Sequence, residues 1–283
     1  MILVTGATGT IGSELVRLLT ARGEKVRALT RDPSAGRVPP GADVVPGDYR
    51  DAASLRAAMD GAAAAFLVGV PGPDAQHDEA LVSAARAAGV GRLVKLSAIG
   101  TGDPELGSFG GWHVPGEEAV RGSGAEWTVL RPSSFASNTL GWAGPIGAGE
   151  PVPNMSGDGR QGVIDPRDVA EVAARALLDA GHGGRTYTLT GPEAISVPEQ
   201  AAVLADVLGR PVTARDLSPE DTRAHLAGWG LTERAADDVL AGMAYVRAGR
   251  NALVTEDVPA VLGRPARTYR AWARDHRAAF DGA

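Results

Sequence analysis

Near its N-terminus the chain reads Val4-Thr5-Gly6-Ala7-Thr8-Gly9-Thr10-Ile11-Gly12, with a glycine at every third position directly after a short apolar run. A glycine-rich turn between a strand and a helix is typical of a dinucleotide-binding site. We expect Gly6 to permit the tight turn, Gly9 to let the backbone approach a pyrophosphate, and Gly12 to let the helix pack closely. Free N–H groups at the helix start would then face the phosphates. The predicted phosphate-binding residues are Gly6, Thr8, Gly9, Thr10, Ile11 and Gly12.

Outward from this turn, apolar runs of strand length alternate with helical patterns. Strands are predicted at residues 2–5, 26–30, 43–46, 64–68, 93–97, 127–130 and 186–190. This alternation predicts an α/β fold, a Rossmann-type doubly wound parallel sheet with helices on both faces. We assign residues 1–132 to the nucleotide-binding domain. Residues 133–283 are assigned to a smaller, mostly helical substrate-binding region that returns one strand, at about 186–190, to the compact body.

Composition narrows the functional classes. The 283 residues are 44% hydrophobic, include no cysteine and carry a net charge of −6. Without cysteine there are no disulfides, thiolate nucleophiles or cysteine-ligated metals, and five scattered histidines predict no metal site. The negative charge, without a basic run, disfavours a nucleic-acid partner. No apolar run approaches the roughly 20 residues of a membrane span and no targeting segment is recognisable, so we expect a cytoplasmic protein without a membrane partner. Its oligomeric state stays open.

The end of the second predicted strand bears on the cofactor. A site that prefers NAD places an acidic residue there to bind the ribose 2′-hydroxyl. Here Thr30 occupies that position and Arg31 follows. An arginine can pair with a 2′-phosphate and stack on adenine, which favours NADP(H). In the alternative interpretation Arg31 is a solvated surface residue and Asp32 caps the next turn.

Further segments resemble the NmrA-like group of atypical short-chain dehydrogenases, which includes NADPH-dependent quinone reductases. The segments are Gly47-Asp48-Tyr49, Gln76-His77, Ala87-Ala88-Gly89-Val90, Leu96-Ser97, Trp127-Thr128-Val129-Leu130-Arg131-Pro132 and Leu262-Gly263-Arg264-Pro265. The resemblance covers nearly the whole chain. It implies a Rossmann fold that binds NADP(H) and reduces a quinone or an aromatic polyketide ketone. The cofactor contacts that it implies, beyond the glycine-rich turn and Arg31, are Asp48, Tyr49, Val68, Gly69, Ser97, Pro132 and Phe135.

The chain departs from typical short-chain dehydrogenases at the catalytic residues. Those enzymes carry a serine and a YxxxK motif, in which tyrosine donates the proton and lysine lowers its pKa. Ser97 matches the serine, but His113 and Glu117 stand at the YxxxK positions. We predict Ser97 and His113 as catalytic: Ser97 donates to a developing oxyanion, and His113, with an ordinary pKa near neutrality, has a smaller role as proton donor. Purely structural roles for both stay open, and Glu117 is interpreted as a first-turn helix residue that complements the helix dipole.

The substrate pocket is expected to be apolar and broad. Phe109, Trp112 and Phe135 lie beside the motif positions and suit a small aromatic substrate with a flat ring system. The leading hypothesis is hydride transfer from NADPH to a quinone or aromatic ketone without the usual tyrosine and lysine. The alternative is a non-catalytic NADP(H)-binding sensor that controls a protein partner. A nucleotide-sugar epimerase is less favoured, because such enzymes need the missing pair.

Overall fold

A computed structural model describes residues 1–69 and 76–281. Seven parallel strands form one sheet in the order β3-β2-β1-β4-β5-β6-β9. They are β1 (Ile2–Val4), β2 (Val26–Thr30), β3 (Asp43–Pro46), β4 (Ala64–Leu67), β5 (Arg92–Leu96), β6 (Glu126–Pro132) and β9 (Arg185–Leu189). The strand order reverses direction between β1 and β4, which makes that edge the expected place for a bound dinucleotide. The predicted fold class is confirmed.

Helices cover both faces of the sheet. In chain order they are α1 (Thr10–Ala21), α2 (Ala52–Met59), α3 (Gln76–Ala87), α4 (Gly107–Gly111), α5 (Val114–Arg121), α6 (Ala143–Ala148), α7 (Pro166–Leu178), α8 (Val197–Leu208), α9 (Pro219–Gly228), α10 (Glu233–Arg247), α11 (Asp257–Leu262) and α12 (Tyr269–Asp275). Helices α1 and α7 pack on one face, and α2, α3 and α5 pack on the other. In α1, Ile11, Leu15 and Leu19 recur every fourth residue and are buried, as an amphipathic helix on a sheet requires.

The chain returns to this body twice after residue 132. Strand β9 pairs with β6, which confirms the predicted late strand. Helix α7 packs against α1, so it lies in the nucleotide-binding body although it follows the predicted boundary at residue 132. Asp168 on α7 is fully buried and accepts hydrogen bonds from the Arg264 side chain, at 2.8 Å, and the Arg267 backbone, at 2.7 Å. These bonds fasten the C-terminal segment to α7.

The remaining C-terminal region is mostly helical, as predicted. It contains four short strands in two pairs, β7 (Val152–Asn154) with β11 (Ala214–Asp216) and β8 (Arg160–Gln161) with β10 (Ile195–Ser196). Its own core joins α8 to α12 around Tyr269 and Trp272. Within residues 1–69 and 76–281, no helix is long and apolar enough to cross a bilayer, and no three potential metal-ligating side chains cluster together.

The turn from β1 into α1 is closely packed. Gly6 has a φ of +60°, a conformation that favours glycine. A Cβ atom on Gly12 would lie 2.1 Å from the Gly6 carbonyl oxygen and 3.0 Å from the Ala7 Cα. This close approach of helix and turn is the role that the sequence predicts for Gly12.

Replacing Gly12 with Ala should destabilise the protein, because backbone atoms would have to move to admit the methyl group. We expect a loss of about 1–3 kcal/mol in the free energy of unfolding, measured by urea denaturation. Gly144→Ala is the matched control, since a Cβ there meets nothing within 4 Å and its φ is not positive. An unchanged stability for Gly12→Ala would contradict the packing.

Candidate cofactor and substrate site

The glycine-rich turn presents backbone donors at the switch point of the sheet. Thr8, Gly9 and Thr10 are exposed, whereas the Ile11 and Gly12 side of the turn is buried. Gly9 precedes α1 and supplies no side-chain cap, so the first N–H groups of the helix are available to an anion. The predicted phosphate-binding residues therefore lie together in one turn that fits a pyrophosphate.

A small hydrogen-bond network supports the turn from the neighbouring strand. The Thr5 hydroxyl accepts a bond from the Val68 amide at 2.7 Å and donates to the Phe66 carbonyl at 3.1 Å. The Tyr49 hydroxyl donates to the Val68 carbonyl at 2.8 Å. Burial raises the pKa of Tyr49, which keeps this donor protonated at neutral pH. Tyr49 and Val68, both predicted cofactor contacts, are thus joined directly.

Arg31 is exposed to solvent and directly follows β2. In the described ranges its side chain has neither a hydrogen bond nor an ion pair. Arg50 Nη2 lies 2.8 Å from Asp48 Oδ2. The hydrogen bonds from Arg50, together with the charges of Arg50 and Arg31, hold the pKa of the Asp48 carboxyl below its ordinary value. Asp32 accepts a bond from the Ser34 amide at 2.9 Å, so it caps the following turn. The cap of the alternative interpretation is present, yet it leaves the guanidinium of Arg31 free to bind a ligand.

A cavity of about 440 Å³ lies beyond the carboxyl ends of β4, β5 and β6. The predicted residues that line it, from four separate segments of sequence, are Val68, Gly69, Ser97, Phe109, Trp112, His113, Pro132 and Phe135. The ring centroids of Phe109 and Trp112 lie 4.7 Å apart. The cavity lining does not include the other predicted cofactor contacts, which are the glycine-rich turn, Arg31, Asp48 and Tyr49. These contacts lie along β1, β2 and β3, on the other side of the switch point.

Sequence reasoning missed the opposite wall of the cavity. The residues missed there are Gln161, Tyr245, Val246 and Asn251, which come from β8, α10 and the segment after α10. No motif marks these residues, and their distance along the chain from Ser97 hides the contact. The only available signal was the aromatic and apolar composition of the C-terminal segments.

Ser97 directly follows β5 and is tied to Glu117 on α5. The Ser97 hydroxyl donates to Glu117 Oε1 at 2.6 Å. Arg131 donates to both oxygens of the same carboxylate, at 2.8 and 2.7 Å, and Arg121 donates to Oε2 at 2.7 Å. Glu117 is only 1% exposed. The interpretation of Glu117 as a helix-dipole residue is therefore incomplete: it is a buried carboxylate that joins α5, β5 and β6.

His113 immediately precedes α5, where Pro115 opens the helix. Burial and the nearby charge of Lys95 lower the pKa of His113 to about 4. Neither ring nitrogen has a hydrogen-bond partner among the described residues. The histidine is thus neutral at physiological pH, and the expectation of an ordinary pKa near neutrality is wrong. It can donate a hydrogen bond from one nitrogen but is not an imidazolium acid.

The positive charge beside His113 belongs to a buried ion pair that the sequence did not suggest. Lys95 Nζ lies 2.9 Å from Asp78 Oδ2, and both side chains are almost fully buried. A Cβ on Gly69 or Gly116 would lie 2.2 or 2.1 Å from an oxygen of Asp78. The two glycines therefore make room for this carboxylate behind the cavity.

Comparison with known proteins places these features in a family. Residues 6–180 match a family described as NAD(P)H-binding. The chain is 42% identical to (4-alkanoyl-5-oxo-2,5-dihydrofuran-3-yl)methyl phosphate reductase of Streptomyces griseus, over 99% of each chain. It is 38% identical to an NAD(P)H azoreductase of Xenophilus azovorans, over 100% of each chain. An NADPH-dependent quinone oxidoreductase of Escherichia coli, solved with NADPH, superposes with a TM-score of 0.84 at 28% identity, covering 97% of this chain and 99% of that one.

These relatives distinguish between the enzyme and the non-catalytic sensor. Two relatives that span the entire chain are named reductases, although the YxxxK positions hold His113 and Glu117 here. The glycine-rich turn, the switch-point geometry and the cavity agree with that assignment. The chain therefore belongs to the NAD(P)H-binding family and is an NAD(P)H-dependent oxidoreductase of the NmrA-like, atypical short-chain dehydrogenase type.

Proposed function

We propose that this protein transfers hydride from NADPH to an uncharged quinone or aromatic ketone. The observation that carries the proposal is the cavity at the carboxyl ends of β4, β5 and β6, with Phe109, Trp112 and Phe135 in its walls. Aromatic walls suit a flat ring, which can lie against them by stacking. The names of the azoreductase and quinone oxidoreductase relatives support an aromatic substrate. The cytoplasm is the proposed compartment.

The lack of charge in the cavity lining supports an uncharged substrate. None of the described lining residues is Lys, Arg, Asp or Glu, and His113 is neutral because its pKa is lowered to about 4. A phosphate ester, such as the one in the name of the Streptomyces griseus relative, would be expected to need cationic or N–H-rich partners. We therefore place a quinone or aryl ketone ahead of a phosphorylated substrate.

Arg31 supports NADPH over NADH. It is exposed and unpaired at the end of β2, where an acidic residue would otherwise bind the ribose 2′-hydroxyl. A free guanidinium can bind the 2′-phosphate with two parallel hydrogen bonds.

The chemistry divides between the cofactor and two residues of the chain. NADPH supplies the hydride when bound, and a quinone or conjugated ketone delocalises the negative charge that develops on its oxygen. Ser97 and His113 line the cavity and are the proposed catalytic residues. His113, which is neutral and has no hydrogen-bond partner among the described residues, can donate an N–H bond to that oxygen. The hydrogen of Ser97 is already directed to Glu117, so Ser97 contributes through its oxygen.

The proposed function is tested by following NADPH oxidation with a naphthoquinone, an aromatic ketone, an azo compound and a phosphorylated butenolide. Turnover of the first two, and little of the phosphate, is expected. If the protein binds NADPH but no acceptor oxidises it, the result favours the alternative function, a non-catalytic NADP(H)-binding sensor. Preference for the phosphate would overturn the uncharged substrate.

Replacing Arg31 with Ala should weaken NADPH binding by about 1.5–3 kcal/mol, the range for a charged hydrogen bond, and leave NADH binding nearly unchanged. Calorimetric titration of both cofactors measures the difference. Arg22→Ala serves as control, because Arg22 is equally exposed and lies at the far end of α1. Equal affinities for NADPH and NADH in the unmodified protein would refute the assignment.

Replacing His113 with Ala should lower kcat by about a hundredfold to a thousandfold, the range for one oxyanion donor, whereas His113→Gln keeps an N–H donor and should lose less. Since the pKa of His113 is about 4, its neutral form persists at all higher pH values. The rate should therefore show no inflection from this residue between about pH 6 and 8. An inflection in that range that disappears in His113→Ala would show that the imidazolium is the acid.

A further inference from the structure

The hydrogens around Ser97 can be assigned from the bonds on either side of it. Its hydroxyl lies 2.6 Å from Glu117 Oε1 and 3.1 Å from the Thr101 hydroxyl. The Thr101 hydroxyl also lies 2.8 Å from the Ala98 carbonyl oxygen, to which it can donate its one hydrogen instead. A serine hydroxyl has one hydrogen and two lone pairs. The direction of the Ser97 hydrogen therefore decides what Ser97 can offer to the cavity.

The Glu117 carboxylate is the strongest acceptor within reach. Burial alone would raise the pKa of Glu117, but the hydrogen bonds from Arg131, Ser97 and Arg121 and the charge of Arg131 together hold the pKa below its ordinary value. An ionised carboxylate cannot donate, so the 2.6 Å contact must use the Ser97 hydrogen. If Thr101 donates to the Ala98 carbonyl, both lone pairs of Ser97 are free. If it donates to Ser97, one remains free.

We propose that Glu117 is a positioning residue that holds Ser97 as a hydrogen-bond acceptor toward the cavity, so that Ser97 binds an N–H or O–H donor on the bound ligand. This rests on the proposed occupants of the cavity, a nicotinamide ring and an aromatic substrate. The donor is then either the carboxamide amine of nicotinamide or a hydroxyl of the substrate. Ser97 does not donate to the developing oxyanion, the role that the sequence predicts for it.

Two ligand pairs separate these sources. In the cofactor pair, NADP⁺ is compared with its 3-acetylpyridine analogue, in which a methyl group replaces the carboxamide amine. In the substrate pair, a naphthoquinone with a ring hydroxyl is compared with its methyl ether. Affinities are measured by calorimetry, which requires no turnover, and kcat/KM is added for the substrate pair. The member with the donor should be favoured about two- to tenfold in one pair, the ratio for one neutral hydrogen bond.

Variants then locate the preference at Ser97 and Glu117. Ser97→Ala should bring the ratio close to one, and Ser97→Thr should preserve it, because threonine keeps the hydroxyl. Ser123→Ala, a buried serine at the end of α5 outside the cavity lining, should leave the ratio unchanged.

Glu117→Gln should reverse the hydroxyl. Arg121 and Arg131, which both donate to Oε2 of Glu117, would donate to the single amide oxygen of the glutamine. The amide N–H₂ would then face Ser97. Ser97 would accept from it and turn its own hydrogen to the cavity, so the ratio should fall to one or invert. If this variant does not fold, the two Ser97 variants decide.

The result that overturns the proposal is a ratio of one in both ligand pairs for the unmodified protein, or a preference that survives in Ser97→Ala. Because binding is measured directly, this result is distinct from failure of the proposed function, in which no acceptor oxidises NADPH.

Discussion

The contact between the first turn of α1 and the carbonyl of Gly6 is the constraint on which the rest of the molecule depends. Only glycine fits at position 12 without displacement of the backbone, since a Cβ would lie 2.1 Å from that oxygen. The contact aims the free N–H groups of α1 across the carboxyl edge of β1 and β4. It also brings the turn over the Thr5, Tyr49 and Val68 network, so packing and hydrogen bonds hold the shape of the proposed pyrophosphate site.

A second constraint organises the other half of the site. A carboxylate as buried as Glu117 must be paired and hydrogen-bonded to remain charged. Its partners come from α5, from β6 and from the end of β5, so the same bonds that satisfy the charge hold three elements at the cavity wall. The Glu117 carboxylate thus has two roles: it links the three elements, and it accepts the hydrogen bond that orients the Ser97 hydroxyl.

The C-terminal region forms one wall of the cavity, with residues from β8, α10 and the segment after α10. Tyr245 donates to Asp103 at 2.8 Å, and Arg250 pairs with Glu105 at 3.0 Å, which connects α10 and the segment after it to the segment between β5 and α4. The nucleotide-binding body is shared with relatives whose names specify different acceptors. Substitutions in this wall would change the pocket without altering the glycine-rich turn, which is not part of the lining.

The sequence alone determined the features that depend on neighbours along the chain. Glycine spacing, strand periodicity and the Thr30-Arg31 pair are local, and they predicted the parallel sheet, the phosphate-binding turn and an arginine contact to the 2′-phosphate. The motif neighbours Phe109, Trp112 and Phe135 also converge on one cavity as expected. The parallel sheet is confirmed because strand alternation is encoded within a few residues, whereas phosphate binding at the turn and at Arg31 stays a prediction.

Only the tertiary structure decided the protonation and polarity of the site. The neutral state of His113 arises from burial and from Lys95, and the direction of the Ser97 hydroxyl arises from Glu117, 20 residues away. The wall formed by Gln161, Tyr245 and Asn251 is built from segments far along the chain. A pKa and a hydrogen-bond direction depend on desolvation and on charges brought close in space, and neither quantity exists until the chain has folded.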